Sequence, residues 1–161
     1  MNATGKPLLT LTLNNIDDHV GQELGVSDWL LVEQELVERF AELTGDDNWI
    51  HVDRKRAARE LGGTIAHGLL VLSLIPRMRR DIYRIVGVGM ALNYGHDRLR
   101  FTGTTPVGSR IRLRMSLSAI APQGEGRRVT FSLTIEREGA ERPSLVADWI
   151  IILYPKTMKR G

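Results

Sequence analysis

The sequence predicts an α+β domain in which a curved antiparallel sheet wraps around one buried helix. Residues 69–75 are apolar on nearly every side of a helix, so a helix there must be buried on nearly every side. Residues 110–117 and 129–136 alternate between apolar and polar side chains, as half-exposed strands do. No repeat or linker divides the chain, so we expect a single domain over residues 1–161, with its core at about residues 20–155.

Two helices are predicted before the buried one. The first covers residues 32–43, where apolar side chains recur at helical spacing, and Gly45 is a fitting stop just after it. The second begins at a capping Asp53 and ends at the glycine pair 62–63. The segment between the two helices is therefore predicted to contain a turn.

The buried helix is predicted from Ala66 to about Val86. We expect a kink or break at Pro76, because proline lacks the N–H that a helix interior uses. After Gly87 the pattern changes to alternating runs separated by turn residues. These runs predict four strands, at residues 92–101, 110–117, 129–136 and 145–154.

An acid, an amide and an imidazole lie close together in the connection after the first helix. On a continuous helix Asp46 and His51 would lie about 140° apart and would not converge. Residues 45–48 are all good turn formers, and a turn would bring both side chains to one point. Such a pair suits the task of holding a water molecule or a proton against a bound substrate.

Composition narrows the classes of function. The chain has no cysteine, which excludes disulfides and a thiolate nucleophile and suits a reducing compartment. No N-terminal run resembles a signal peptide, and the most apolar stretch is too short to cross a bilayer, so we expect a cytoplasmic protein without a membrane span. The net charge is only +3, aromatic residues make up 6%, and no recognition motif is present, so we expect no nucleic-acid partner.

Four arginines follow the apolar run, at Arg77, Arg79, Arg80 and Arg84. Two interpretations are open for them, a solvated helix end or a site for a polyphosphate such as coenzyme A. Lys55 and Arg56 are a second candidate pair for the same phosphates. The solvated surface is the commoner role of such a charge run.

Two motifs form a specific pattern in the middle of the chain: Gly45-Asp46-x-Asn48-x-x-His51 and Gly63-x-x-Ala66-His67-Gly68. At this spacing they resemble the MaoC-like hot-dog dehydratases, which are the (R)-specific enoyl-CoA hydratases. The variant Trp49-Ile50-His51-Val52-Asp53 is similar to the nodulation-protein-N-like branch, whereas many members of the wider family have proline in place of Trp49. The resemblance extends from about residue 20 to residue 154.

The resemblance implies a hot-dog fold that works at least as a dimer and adds water reversibly to a trans-2-enoyl thioester. Coenzyme A is then part of the acyl-CoA substrate, and no metal or redox cofactor is implied. By the same resemblance Asp46 and His51 are the catalytic pair, and the backbone N–H of Gly68 binds the thioester carbonyl. The residues expected to shape or contact the substrate site are Asn48, Trp49, Ala66 and His67.

These residue types suit that reaction. The start of a helix supplies free N–H donors, which stabilise the negative charge that develops on a carbonyl oxygen. A carboxylate and an imidazole on one water molecule provide a general base and a general acid, typically worth about 10²- to 10⁴-fold in rate. The sequence leaves the division of proton transfer between Asp46 and His51 open.

Three other interpretations stay open. A hot-dog thioesterase would bind the same ligand but direct water at the carbonyl carbon, and a non-catalytic acyl-CoA-binding subunit would bind it without reaction. Asp46, His51 and His67 contain the donor types that zinc accepts, although nothing else marks a ligand set, and we expect no metal. His67 could alternatively be a local hydrogen-bonding residue at the start of the helix.

Overall fold

The computed structural model describes residues 8–156. The strands within them are β1 (Leu9–Leu11), β2 (Glu23–Val26), β3 (Leu30–Leu31), β4 (Tyr83–Ile85), β5 (Val88–Arg100), β6 (Arg110–Gln123), β7 (Gly126–Arg137) and β8 (Leu145–Pro155). The helices are α1 (Gln34–Thr44), α2 (Trp49–Val52), α3 (Arg54–Glu60), α4 (Gly68–Ser73) and α5 (Ile75–Met78). Short 3-10 turns lie at Ile16–His19 and Arg79–Asp81.

Six strands form one antiparallel sheet in the order β2-β6-β7-β8-β5, with β3 also paired to β6. The strands β6, β7 and β8 follow one another as hairpins, and Gly124 with a φ of 56° makes the tight turn between the first two. Strand β5 pairs with β8 alone within residues 8–156, so its other edge is unpaired there. Strands β1 and β4 form a separate parallel pair.

The inner face of the sheet packs around α4 and α5. Strands β6 and β7 bury every second side chain, which confirms the predicted alternation: Ile111, Leu113, Met115 and Leu117 on β6, and Val129, Phe131, Leu133 and Ile135 on β7. Leu70, Val71, Ile75 and Met78 from the two helices belong to the same core. An antiparallel sheet wrapped around a central helix is the hot-dog fold, so the predicted α+β class is confirmed.

The prediction of one helix from Ala66 to about Val86 is wrong in its second half. Helix α4 ends at Ser73, and Pro76 lies in the first turn of α5, where its missing N–H costs no helical hydrogen bond. Beyond the following 3-10 turn, β4 pairs with β1, and this pairing satisfies the backbone groups that a continued helix would otherwise have used. The helix is also not buried all round, since Leu69 is 56% exposed.

The two earlier helices lie within two residues of their predicted bounds, and local chemistry explains where they begin and end, whereas the short α2 between them was not predicted. Gly45 follows α1 in the left-handed conformation, with a φ of 75°, and its N–H donates to the carbonyl of Ala41 at 2.8 Å. The Asp53 carboxylate accepts from the N–H of Arg56 at 2.9 Å and caps α3. These two caps determine where the connection between the helices begins and ends.

The N-terminal elements were not predicted. Leu11 on β1 and Ile16 in the first 3-10 turn are fully buried, so the core reaches beyond residues 20–155. The strands β2 and β3 are too short to show a clear alternation, and they are defined by their pairing with β6. Among residues 8–156, no helix has both the length and the apolar character needed to cross a bilayer.

Candidate active site

The connection between α1 and α2 turns sharply and brings Asp46 and His51 together. The left-handed Gly45 ends α1, and the Asn48 side chain accepts from the N–H of Ile50 at 3.3 Å, which starts α2. One potential ligand atom from each of Asp46, His51 and His67 lies within 4.8 Å of the other two. The carboxylate of the exposed Asp46 is therefore a close neighbour of the buried His51 imidazole. Asn48 therefore shapes the turn, as predicted.

His51 has a defined orientation. Its Nδ1 lies 2.7 Å from the carbonyl oxygen of Ile65, and because a carbonyl only accepts, Nδ1 must carry the hydrogen. The neutral ring then keeps its lone pair on Nε2. Backbone bonds support the arrangement: Ile65 N–H donates to the carbonyl of Ile50 at 3.0 Å, and the Gln34 amide donates to the carbonyl of His51 at 2.9 Å.

His67 touches both members of the pair. Its Nε2 lies 2.8 Å from the backbone carbonyl oxygen of Asp46, and its ring stacks on that of His51 with centroids 3.7 Å apart. Phe40 packs against the same imidazole, with centroids 5.0 Å apart. The His67 side chain is buried, and within residues 8–156 its Nδ1 has no hydrogen-bond partner.

Gly68 is the first residue of α4, directly after His67. Its backbone N–H belongs to the first turn, whose donors a helix cannot satisfy internally. A Cβ at this position would lie 2.8 Å from Cδ1 of Phe101, which is closer than a real side chain tolerates. Glycine at this position therefore allows the close approach of the Phe101 ring, which any larger residue would displace.

A cavity of about 500 Å³ opens beside these residues. It is bordered by His51, Ile65, Ala66, Gly68, Val71, Phe101, Thr102, Gly103, Thr104, Thr105 and Ser144. Of the four residues predicted to shape or contact the substrate site, Ala66 borders this cavity, and Asn48, Trp49 and His67 do not. Trp49 instead packs under the Arg56 guanidinium, which lies 4.0 Å from the centroid of its ring.

Sequence reasoning missed the wall that residues 101–105 and Ser144 contribute. The segment after β5 is fixed by long-range bonds, because Ala66 N–H donates to the carbonyl of Thr105 at 2.8 Å and the Thr105 hydroxyl donates to that of Ser144 at 2.8 Å. A run of threonine and glycine is also typical of an ordinary loop, so local pattern gave no reason to single it out. None of the basic residues considered for coenzyme A phosphates borders this cavity.

The three clustered side chains contain the donor types of a metal site. Asp46, His51 and His67 offer a carboxylate and two imidazoles whose ligand atoms lie within 4.8 Å of one another. One nitrogen of each imidazole lies at hydrogen-bonding distance from a backbone carbonyl, which is also how a metal-ligating histidine is commonly held. The same carboxylate and imidazole groups can instead hold a water molecule between them.

Comparison with known proteins identifies relatives over most of the chain. The family model described as the MaoC-like domain matches residues 15–138. The chain is 45% identical over 133 residues to 3-hydroxyacyl-thioester dehydratase Z of Mycobacterium tuberculosis, covering 81% of this chain and 88% of the relative. It is 44% identical over 147 residues to nodulation protein N of Rhizobium leguminosarum bv. viciae, covering 89% of this chain and 91% of the relative.

A solved structure supports the same fold. An unliganded R-hydratase from Pseudomonas aeruginosa superposes with a TM-score of 0.69 at 23% sequence identity, covering 84% of this chain and 82% of that one. At this level of identity the superposition is evidence for the hot-dog fold alone. The family assignment rests on the family model and on the sequence relatives.

Proposed function

Because the chain belongs to the MaoC-like domain family, we propose that it is a hydro-lyase, a 3-hydroxyacyl-thioester dehydratase that also runs in the hydration direction. Its substrate in that direction is a trans-2-enoyl thioester. The observation that carries the proposal is that the Asp46 carboxylate lies within 4.8 Å of the His51 imidazole. His51 borders a cavity large enough for an acyl thioester, and Asp46 lies behind it, outside the residues that border the cavity.

In the proposed reaction Asp46 and His51 hold one water molecule between them. The lone pair on Nε2 of His51 accepts a proton from this water, and the water oxygen bonds to C3 of the enoyl group. The electron pair of the double bond moves toward the thioester carbonyl, and C2 then receives the proton held by the Asp46–His51 pair, which returns the pair to its starting state. No bond to sulfur breaks, and the atoms of one water molecule are the only ones added.

The Gly68 N–H is proposed to donate to the thioester carbonyl oxygen as negative charge builds on it. Its place at the start of α4 and on the border of the same cavity as His51 supports this role. Removing a donor of this kind costs roughly 3 to 4 kcal/mol of transition-state stabilisation in other enzymes. The backbone donor cannot be removed by a side-chain change, so its test has to act through Phe101.

The finer features of the proposal follow the family. We propose (R)-configured 3-hydroxyacyl products, coenzyme A as the carrier, the cytoplasm as the compartment, and a reaction without metal or redox cofactor. The composition is compatible with a reducing compartment, since none of the 161 residues is cysteine.

We further propose that two copies of the chain associate through β5. Strand β5 has an unpaired edge among the described residues, and two identical strands can pair antiparallel about a two-fold axis. Its exposed apolar residues are those of a surface that another chain covers: Met90, Leu92 and Tyr94.

Product analysis tests the proposed function. Purified protein is mixed with crotonyl-CoA, and the products are separated by chromatography. A hydratase converts the substrate to 3-hydroxybutyryl-CoA, and chiral analysis should assign the (R) form. Free coenzyme A as the main product would indicate the thioesterase. Binding of acyl-CoA without turnover of short or long enoyl chains would indicate a non-catalytic subunit.

A further inference from the structure

We infer that His67 is a positioning residue that holds Asp46 in register with His51 and Gly68, and that it does not bind the substrate. The inference deepens the proposed function and rests on it for the kinetic part of its test. It also replaces the expectation from sequence that His67 contacts the substrate.

Three contacts made by one residue carry the inference. The side chain of His67 donates through Nε2–H to the backbone carbonyl of Asp46 at 2.8 Å, because that carbonyl can only accept. Its ring stacks on the imidazole of His51 at 3.7 Å. Its own carbonyl accepts from Val71 N–H at 3.1 Å in the first turn of α4, which begins with the next residue, Gly68.

The burial of the ring argues against contact with substrate. His67 is 2% exposed and does not border the cavity that His51 and Gly68 share. Its Nε2 is occupied by Asp46, and its Nδ1 is buried without a partner within residues 8–156. Neither nitrogen is therefore exposed to the cavity.

The turn that carries Asp46 has few other anchors. Asp46 N–H reaches the Thr44 hydroxyl only at 3.4 Å, and the Asn48 side chain acts within its own helix start. The bond from His67 is shorter and ties the turn to the start of α4, 21 positions along the chain. A displacement of about 1 Å at a catalytic group costs on the order of 10²-fold in rate, so loss of this bond should lower kcat.

Three substitutions of His67 distinguish the effect of its hydrogen bond to Asp46 from the effect of its ring stacking on His51. His67→Gln places an amide N–H as many bonds from Cα as the imidazole Nε2, so it keeps the donor and loses the ring. His67→Asn places its N–H at the position of Nδ1, too near the backbone to reach Asp46. His67→Phe keeps an aromatic ring against His51 and loses the donor. His19→Gln is the matched control, because His19 lies in the first 3-10 turn.

With crotonyl-CoA as the probe, we expect His67→Gln and His19→Gln to keep kcat within about fivefold of wild type. We expect His67→Asn and His67→Phe to lose about 10²-fold in kcat while KM changes little. A residue that only fills space would give the reverse order, with the aromatic variant nearest to wild type. Equal loss in the Gln and Asn variants, with all proteins folded, would overturn the inference.

A second test, on the wild-type protein and two of the variants, does not depend on catalytic turnover. Nitrogen NMR of the histidine rings should show a hydrogen on Nε2 of His67 that is protected from exchange with solvent. Hydrogen exchange at the amides of residues 46–48 should accelerate in His67→Asn and not in His67→Gln. A wild-type His67 with hydrogen on Nδ1 and none on Nε2 would overturn the inference even if the protein proved inactive on every enoyl thioester.

Discussion

The Nδ1 of His51 lies 2.7 Å from the carbonyl oxygen of Ile65, and this bond determines which ring nitrogen can act on water. With hydrogen on Nδ1, the lone pair remains on Nε2. The bond also links α2 to the segment that leads into α4, where Gly68 begins the helix. The proposed base and the proposed carbonyl-binding donor are thus linked through Ile65 and the short segment that follows it.

Substitution of His51 by asparagine should remove catalysis and leave the fold intact. The Asn amide N–H occupies the place of Nδ1 and can still donate to Ile65, but no group replaces Nε2. We expect kcat/KM for crotonyl-CoA to fall by about 10²- to 10⁴-fold, with a melting temperature close to that of wild type. Retention of more than a tenth of the wild-type kcat/KM would exclude His51 as the general base.

Substitution of Gly68 by alanine should act on Phe101. The new methyl group would lie 2.8 Å from Cδ1 of Phe101, so the half-exposed ring, which borders the cavity, must move. Stability should change little, because the gain in helix propensity, about 0.5–1 kcal/mol, opposes the clash. Kinetic assays should show kcat/KM at least about tenfold lower.

The double variant Gly68→Ala/Phe101→Ala supplies the control for this change. Removing the ring removes the clash, so the double variant should be more active than Gly68→Ala alone and comparable to Phe101→Ala. If all three variants matched the wild type, close approach of the substrate to Gly68 would not be part of the mechanism.

Association through β5 predicts a response to charge on that strand. Tyr94 is 59% exposed on β5, and a lysine there would place two like charges near the two-fold axis of the proposed pair. Light scattering coupled to gel filtration should show a dimer for the wild type and a larger monomer fraction for Tyr94→Lys. Leu43→Lys, at an exposed position on α1, is the control and should remain dimeric. A monomeric wild type would contradict the proposed interface.

The parts of the site that the sequence could predict are those that local chemistry determines. The left-handed Gly45 ends α1, and the Asp53 carboxylate caps the start of α3, and both effects act within one turn of the helix. The sequence therefore predicted a turn between the two helices, which brings Asp46 close to His51. The α+β class, with a sheet around one helix, followed from the alternation on β6 and β7 and from the apolar run of α4, whereas the hot-dog fold was implied by the family resemblance.

The parts that could not be predicted depend on contacts between distant residues. Thr105 forms the cavity wall because its carbonyl accepts from Ala66, and no local pattern reports a bond between residues that far apart. The end of the predicted buried helix, Tyr83–Ile85, is a strand because β1 lies beside it. Residues such as Tyr83 and Ile85 suit either structure, and the partner strand decides between them.

An ion-pair cluster on the outer face of the sheet should make stability depend on acidic pH. Burial disfavours ionisation of Glu136, but hydrogen bonds from Arg114 at 2.7 Å and Arg112 at 2.6 Å outweigh it, so the pKa of Glu136 is lowered from its ordinary value of 4.5. A carboxylate with a lowered pKa in the folded state stabilises the protein above the ordinary value, and this contribution is lost as the pH falls through the folded pKa.

We therefore expect Glu136→Gln to lower the melting temperature near neutral pH by about 2–4 °C, which corresponds to roughly 1 kcal/mol in a domain of this size. The difference from wild type should shrink progressively below pH 4.5, the ordinary value. Glu125→Gln, in the exposed turn between β6 and β7, should show no such difference. A constant offset at every pH would mean that the charge of Glu136 does not contribute.

The most direct test of the mechanism compares two neighbouring carboxylates. Asp46 and Asp47 are both exposed in the same turn, and of the two only Asp46 belongs to the cluster with His51 and His67. In single-turnover hydration of crotonyl-CoA, we expect Asp46→Asn to react at least about 10²-fold more slowly than wild type and Asp47→Asn to match it. Equal rates for the two variants would show that the Asp46 carboxylate does not hold the reacting water.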